Sequence, residues 1–113
     1  MPCELYGVVA VDLDATAVRL AARLGLVFEP RESSFLGLYW LYEGADGGEI
    51  LIYYNEGPKH YSGSDPWEKR FFEPDFAQFR VLLDAQCLSE QQLRLSREAV
   101  LSEFPGSALI RHV

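Results

Sequence analysis

Two apolar runs joined by a short turn constrain the fold of this chain more than any other feature. The runs are LGLYWLYE, residues 36–43, and GEILIYYN, residues 48–55, with the turn ADGG at 45–48. Asp46-Gly47 is a dipeptide that tolerates positive φ, which tight β-hairpin turns require. The sequence therefore predicts an antiparallel hairpin, and with it a sheet.

The segment before this hairpin predicts a strand followed by a helix. ELYGVVAVD, residues 4–12, is apolar on both alternating faces, which is typical of a strand in the middle of a sheet. Asp14 precedes a helical pattern, ATAVRLAARL, and is a good N-cap, while Gly25 is a natural stop. Leu13 and Val18 take the positions of a hydrophobic staple.

A second helix is predicted near the C-terminus by two start signals. Ser89 and Gln92 form a capping box, and Leu88 with Leu93 can form a staple. The helix is expected to stop before Pro105. Three further segments are predicted as strands, namely LVFEPRESS, QFRVLLDAQC and SALIRHV.

These elements follow one another as β-α-β-β-β, a long loop, and then β-α-β. This order suits a mainly antiparallel sheet of about five to six strands with both helices on one face. Crossovers beside the first and last strands resemble the split βαβ plan. The predicted fold is therefore an α+β two-layer sandwich, ferredoxin-like or related. The whole chain, residues 1–113, is expected to form a single domain.

The charge balance of the chain bears on its partners. Ten basic and 17 acidic side chains give a net charge of −7 at pH 7. Nucleic-acid binders and proteins that dock on anionic lipid need basic surface, so neither kind of partner is expected. An acidic surface suits a basic protein partner, or serves solubility.

The location of the protein is inferred from the segments that it lacks. The N-terminus does not resemble a signal peptide, and no run approaches the roughly 20 apolar residues of a membrane span. Cytoplasm is therefore the expected location. Cys3 and Cys87 are expected to be reduced, although a bridge stays open if their strand ends are neighbours.

The sequence contains no recognisable catalytic or metal-binding motif. Glycine loops that cradle phosphate and the ligand spacings of His and Cys are absent, so no catalytic residue, cofactor or metal is expected. His112 is the penultimate residue and is expected to be solvated. His60 lies within reach in sequence of Asp65 and Glu68, and is the candidate for acid–base chemistry.

Residues 43–75 concentrate both charge and aromatic rings. They contain eight acidic and three basic side chains, so −5 of the net −7 falls within this stretch. Such a charge can steer a cationic partner, and Tyr and Trp are frequent interface anchors. The loop 57–76, GPKHYSGSDPWEKRFFEPDF, is predicted to present these anchors. The candidate partner-binding residues are Tyr42, Glu56, His60, Tyr61, Asp65, Trp67, Glu68, Glu73 and Asp75.

A small acidic α/β domain with an aromatic-acidic face and no catalytic motif resembles bacterial toxin-immunity proteins. The 39–54 hairpin and the charged loop that follows it carry the resemblance. It implies an inhibitor that occludes the basic active-site cleft of a toxin. Carboxylates such as Asp65 and Glu68 would mimic substrate phosphates, while Trp67 or Tyr61 fills a pocket.

Two other functions stay open at this point. One is a small-molecule-binding domain or small enzyme with a pocket near the 57–76 loop, lined by His60, Tyr61, Asp65 and Trp67. The other is a regulatory homodimer that uses an aromatic sheet face as its interface. Replacing His60 with Ala tests the first, and a native mass measurement tests the second.

Overall fold

A six-stranded sheet with two α-helices forms the part of the chain that the computed structural model describes, residues 3–57 and 71–112. The strands are β1 (Cys3–Val8), β2 (Glu29–Ser33), β3 (Gly37–Glu43), β4 (Glu49–Tyr54), β5 (Val81–Gln86) and β6 (Ala108–His112). The helices are α1 (Leu13–Leu24) and α2 (Glu90–Glu103), and a short 3₁₀ turn spans Pro74–Phe76.

Neighbouring strands of this sheet are antiparallel throughout. The strand order is β2-β3-β4-β5-β1-β6. Strands β2 to β5 form a meander, and β1 and β6 continue the sheet beyond β5. Because β1 runs in the same direction as β2, and β5 as β6, each helix connects two parallel strands. This is the split βαβ plan with a four-stranded meander at one side of the sheet, so the predicted α+β sandwich is confirmed.

Both helices pack on one side of the sheet, which we call the helix face. Tyr6 of β1, Ile52 of β4 and Leu83 of β5 point into this layer and are fully buried. Leu20 of α1 and Val100 of α2 belong to the same apolar cluster. Since successive residues of a strand point to opposite sides, this core takes one half of each central strand. Burial of these side chains from water is its main source of stability.

The other side of the sheet, which we call the open face, carries no α-helix within the described residues. A smaller apolar cluster there contains Tyr53 and Leu82. Phe72 packs edge-on against Tyr53, with ring centroids 5.5 Å apart. Phe79 lies directly over Gly7 of β1, where an added Cβ would stand 2.3 Å from the ring. Gly7 is therefore required by close approach.

Asn55 holds the segment 71–80 on the open face. Its side chain is fully buried, and its amide nitrogen lies 3.3, 3.1 and 3.1 Å from the carbonyl oxygens of Glu73, Phe76 and Phe79. In return, the backbone amide of Glu73 donates to Asn55 Oδ1 at 2.9 Å. A single buried amide thus satisfies several backbone groups of a segment that has little regular structure.

Helix α1 begins two residues earlier than the sequence predicted. Asp12, and not Asp14, is the N-cap, since its carboxylate accepts from the amides of Asp14 and Ala15 at 2.9 and 3.3 Å. The early start lets Leu13 enter the core, where it is 3% exposed. Val18 is 64% exposed, so the predicted staple with Leu13 does not form.

Other predicted boundaries are confirmed. Gly25 ends α1 in the left-handed region with φ 67°. The capping box of Ser89 and Gln92 opens α2, and the side chain of Leu88 beside it is buried. In the hairpin turn, Gly47 has φ 92°, which is the conformation that the Asp-Gly pattern predicted.

Strand β1 is shorter than the apolar pattern predicted. It ends at Val8, where the chain bends and the amide of Ala10 donates to the Val8 carbonyl at 2.9 Å. Val9 and Val11 follow the bend and are 49% and 72% exposed. The apolar pattern continues after Val8 although the backbone pairing stops there, so the predicted strand was too long.

Candidate functional site

The structure describes four of the nine candidate partner-binding residues, Tyr42, Glu56, Glu73 and Asp75. The others, His60, Tyr61, Asp65, Trp67 and Glu68, lie outside the described residues. What the structure shows of the 57–76 loop is how it is anchored. Glu56 and Phe71 form an antiparallel bridge, so the two arms of the loop meet beside the end of β4.

The four described candidates do not form one surface. Tyr42 lies on the helix face, where its ring packs against Phe28 with centroids 6.2 Å apart. Glu56, Glu73 and Asp75 lie near the point where the loop closes. Of these three, Glu73 is half-buried, while Glu56 and Asp75 are exposed. The acidic candidates therefore lie near the loop closure, whereas the aromatic one packs on the helix face.

A polar cleft of about 250 Å³ opens on the open face across β4, β5, β1 and β6. Its lining includes Leu5, Tyr53, Glu73, Asp84, Gln86 and Arg111. These side chains come from four strands and from the segment that Asn55 holds, so the folded sheet alone brings them together. Pockets for drug-sized ligands measure roughly 300–1,000 Å³, so this cleft suits a side chain or a small molecule.

Asp84 is the carboxylate at the floor of the cleft. It stands between Leu5 and Leu51 of the neighbouring strands, and its Oδ2 accepts from Gln86 Nε2 at 3.1 Å. Burial raises the pKa of Asp84 above its ordinary 3.8. Hydrogen bonds from Gln86 and Tyr53 and the charge of Arg111 offset only part of that effect. Asp84 is thus a carboxylate whose negative charge is incompletely compensated.

Tyr53 and Gln86 are the neutral donors around Asp84. Burial, with a smaller contribution from the Asp84 charge, raises the pKa of Tyr53 far above its ordinary 10.0. Its hydroxyl therefore keeps its proton across the physiological pH range and can donate to Asp84. Neither Tyr53 nor Gln86 brings a full positive charge to the carboxylate.

An ion pair between Glu73 and Arg111 closes one side of the cleft. The guanidinium Nη2 of Arg111 lies 2.5 Å from Glu73 Oε1, and the two side chains are 55% and 16% exposed, respectively. Arg111 lowers the pKa of Asp84 through its charge rather than through a hydrogen bond. The nearest cation of the cleft is therefore already paired with another carboxylate.

A second buried carboxylate, Glu4, lies on the helix face of the neighbouring strand β1. It accepts from the Tyr6 hydroxyl and, at 2.5 Å, from Arg97, and it lies 2.8 Å from His112 Nδ1. Burial alone would raise the pKa of Glu4, but these three hydrogen bonds and the Arg97 charge outweigh it and lower the pKa below 4.5. Burial and the bond to Glu4 raise the pKa of Tyr6 to about 12.

His112 departs from the sequence expectation of a purely solvated side chain. Its imidazole stays 57% exposed, yet Nδ1 contacts the buried carboxylate of Glu4. The strand pairing of β1 and β6 sets Glu4 opposite His112 and so brings the two side chains together. No local sequence pattern relates residues that are 108 positions apart.

Three further carboxylates, which we call the acidic row, share the open face at the end of the sheet near the β3–β4 turn. They are Glu29 of β2, Glu43 of β3 and Glu49 of β4. Glu43 and Glu49 are direct cross-strand partners, and like charges in that arrangement weaken a sheet. Arg31 lies 2.8 Å from Glu29 and 3.6 Å from Glu43, so it neutralises part of the row.

The sequence did not single out Asp84, Arg111 or Glu4. A signal for Asp84 is present, because a charged residue interrupts the apolar run VLLDAQ of a central strand, where burial is costly. Glu4 carried a similar signal at the start of β1. For Arg111 no signal exists, because its partner Glu73 belongs to an irregular segment that long-range contacts, including those of Asn55, position.

The fold and the open face define a small α+β sandwich with an acidic sheet surface and a polar cleft. Comparisons with protein-family models, with curated proteins and with solved structures found no match to this chain.

The described residues contain no metal-ligand cluster, no membrane-spanning helix and no disulfide. Across residues 3–57 and 71–112, no three His, Cys, Asp or Glu side chains gather as metal ligands would. In the same ranges, neither helix has the length and apolar character needed to cross a bilayer. Cys3 pairs with Gln86 in the sheet, but no disulfide joins Cys3 to Cys87, whose side chain is exposed.

Proposed function

We propose that this chain is a small acidic binding protein, of the immunity type, that occludes a basic protein partner through its open face. The acidic row carries the proposal. Glu43 and Glu49 stand directly opposite each other, which disfavours the folded sheet, and Arg31 compensates only part of their charge. A surface that places like charges together at a cost in stability is better explained by binding than by folding.

The proposed mechanism is steering followed by contact. The negative open face attracts a cationic partner at long range and raises the association rate. On contact, the carboxylates of the acidic row pair with Lys or Arg of the partner and block its basic site. Glu56 and Asp75 are exposed carboxylates near the point where the loop closes, and they add to the negative charge available to a partner. The loop candidates Asp65 and Trp67 belong to the same proposal, as does a cytoplasmic location in a bacterium.

The test compares two matched variants as baits in the lysate of the native organism. One bait is the Glu43→Gln/Glu49→Gln variant, which removes the like-charge pair of the acidic row. The control is Glu90→Gln/Glu98→Gln, which removes two exposed carboxylates from α2 and changes the net charge equally. Mass spectrometry quantifies what each bait and the wild-type protein retain.

A basic protein retained by the wild type and by the α2 variant, but lost with the acidic-row variant, is the expected result. Its activity, once purified, should be inhibited by the wild type at a one-to-one ratio. Equal loss with both variants would show unspecific charge attraction, and equal retention by both would exclude the acidic row. Either result would overturn the proposal.

A further inference from the structure

The cleft on the open face has an unusual balance of charge. Its floor carboxylate, Asp84, accepts a hydrogen bond from the neutral amide of Gln86 and lies close to the neutral hydroxyl of Tyr53. The guanidinium of Arg111 is held by Glu73 at 2.5 Å. Two carboxylates therefore face the cleft with one guanidinium, and a carboxylate with two neutral donors still has acceptor sites to spare.

We infer that this cleft binds a guanidinium or alkylammonium group, which enters beside Asp84 and Glu73. The inference rests on the proposed function, because the cleft and the acidic row share the open face. Gln86 of the cleft is the cross-strand partner of Glu49 in the row. The group could belong to an Arg or Lys side chain of the protein partner, or to a free small amine.

Three properties of the cleft favour a cationic group over an anion or a neutral one. An anion would meet Asp84 and Glu73 and would have to compete for Arg111. A neutral group would leave the burial of Asp84 uncompensated, and burial raises the pKa of this carboxyl, as described above. The apolar side chain of Leu5 in the lining suits the alkyl stem of an Arg, Lys or amine ligand.

The experiment is a titration followed by ¹H–¹⁵N NMR, with ethylguanidinium chloride and butylammonium chloride as probes. Tetramethylammonium chloride at the same ionic strength is the control cation, because it has charge but no hydrogen-bond donor. We expect saturable shifts of the amides of 3–5, 84–86 and 111 with the two donors and none with the control. Affinity should increase as the pH rises through the raised pKa of Asp84, because the ionised carboxylate is the binding form.

Two cleft variants and one matched control locate the binding. Asp84→Asn should weaken binding of the donor cations at least tenfold. Glu73→Gln, which frees the charge of Arg111, should weaken it severalfold. Glu98→Gln removes an exposed carboxylate from α2, on the other side of the sheet, and should leave affinity within twofold of the wild type. Amide dispersion in the same spectra confirms that each variant is folded.

The outcomes separate the source of the cation and the two proposals. A capped Gly-Arg-Gly peptide that binds more tightly than ethylguanidinium assigns the cleft to a protein side chain, and the reverse assigns it to a free amine. Shifts that do not saturate, or that persist in Asp84→Asn, overturn the cleft inference. The titration needs no protein partner, so a negative result for the cleft would not decide the acidic-row test of the proposed function.

Discussion

Glu4 and Asp84 are two buried or half-buried carboxylates on adjacent strands, and the sheet separates them. Glu4 is paired in register with Ala85, the residue next to Asp84, so the two acids lie one position apart on opposite faces. Glu4 has three donors, one of them the Arg97 guanidinium, and its pKa is lowered. Asp84 has two neutral donors, and its pKa is raised. The two faces of one sheet thus shift the pKa values of two similar groups in opposite directions.

The difference teaches which acid supports the fold and which one is available for binding. The free energy of burying Glu4 is offset by charge-assisted hydrogen bonds from α2 and β6, which also connect these elements to β1. The burial of Asp84 is incompletely offset, so the native state is less stable with its ionised form than it would be with a neutral side chain. A residue that weakens its own fold and faces a cleft is a candidate for function.

The largest effect should come from Glu4→Ala, which leaves Arg97, His112 and Tyr6 without their shared acceptor. We expect a loss of about 3 kcal/mol, the lower end for breaking a buried ion pair, because Arg97 and His112 can still reach water. Urea denaturation at pH 7 measures it. Glu98→Ala, an exposed position on α2, is the control and should change stability by less than about 0.5 kcal/mol.

The pH dependence follows from the lowered pKa of Glu4. The stability that the ionised carboxylate contributes is present above its unfolded pKa of about 4.5 and is lost as the pH falls through the folded value. The difference between wild type and Glu4→Ala should therefore shrink in acid. A difference that is the same at pH 7 and pH 3 would contradict the account.

Asn55→Ala should have the next largest effect, since it removes a fully buried amide that contacts three backbone carbonyls and one backbone amide. We expect a loss of about 2–3 kcal/mol, the upper part of the range for leaving buried polar groups unsatisfied. Hydrogen exchange is a second measurement on the same variant. Without Asn55, Glu73 should leave the cleft and the amides of 72–80 should lose protection. Unchanged protection there would show that Asn55 does not hold the segment.

Asp84→Asn should move stability in the opposite direction to Glu4→Ala. A carboxyl whose folded pKa is raised disfavours folding increasingly as the pH rises above its unfolded pKa of 3.8, and fully above its folded pKa, so the neutral amide should stabilise the protein at pH 7. We expect a gain of up to about 1 kcal/mol, the size of common stabilising substitutions. The gain should disappear in acid, where the wild-type carboxyl is protonated. If Asp84→Asn were less stable than the wild type at pH 7, Asp84 would be a structural residue, as Glu4 is.

His112→Ala should give the smallest effect of the series. Its imidazole is half-exposed and is one of three groups around Glu4, so we expect a loss of about 0.5 kcal/mol. Thermal unfolding at pH 8 and pH 5.5 measures it. A loss as large as that of Glu4→Ala would mean that the histidine, rather than Arg97, is the main partner of the buried acid.

Most elements of the fold could be predicted because their signals are local. The capping box at Ser89, the glycine at the end of α1 and the Asp46-Gly47 turn each depend on a few neighbouring residues. The errors also have local causes. Asp14 and Asp12 are both acceptable caps, and the burial of Leu13 against the sheet decided between them. Val9 and Val11 are apolar, but backbone pairing ends before them.

The site was harder to predict, because its members come together through pairing register. The charge of the 43–75 stretch indicated an acidic surface, and Glu43 and Glu49 do lie together on the open face. The sequence predicted Tyr42 for the same surface, and this prediction was wrong. Its cross-strand partner Ile50 points into the core, so the ring of Tyr42 lies on the helix face.

The sequence by itself determined the helices, the strands, the hairpin turn and the net negative charge of this protein. Each depends on periodicity, caps or composition, which act over a few residues or over the chain as a whole. Only the tertiary structure decided which acids are compensated. Hydrogen-bond partners of Glu4 lie up to 108 residues away, and Arg111 meets Glu73 across 38 residues. Desolvation and pairing depend on such distant neighbours, and no local pattern contains them.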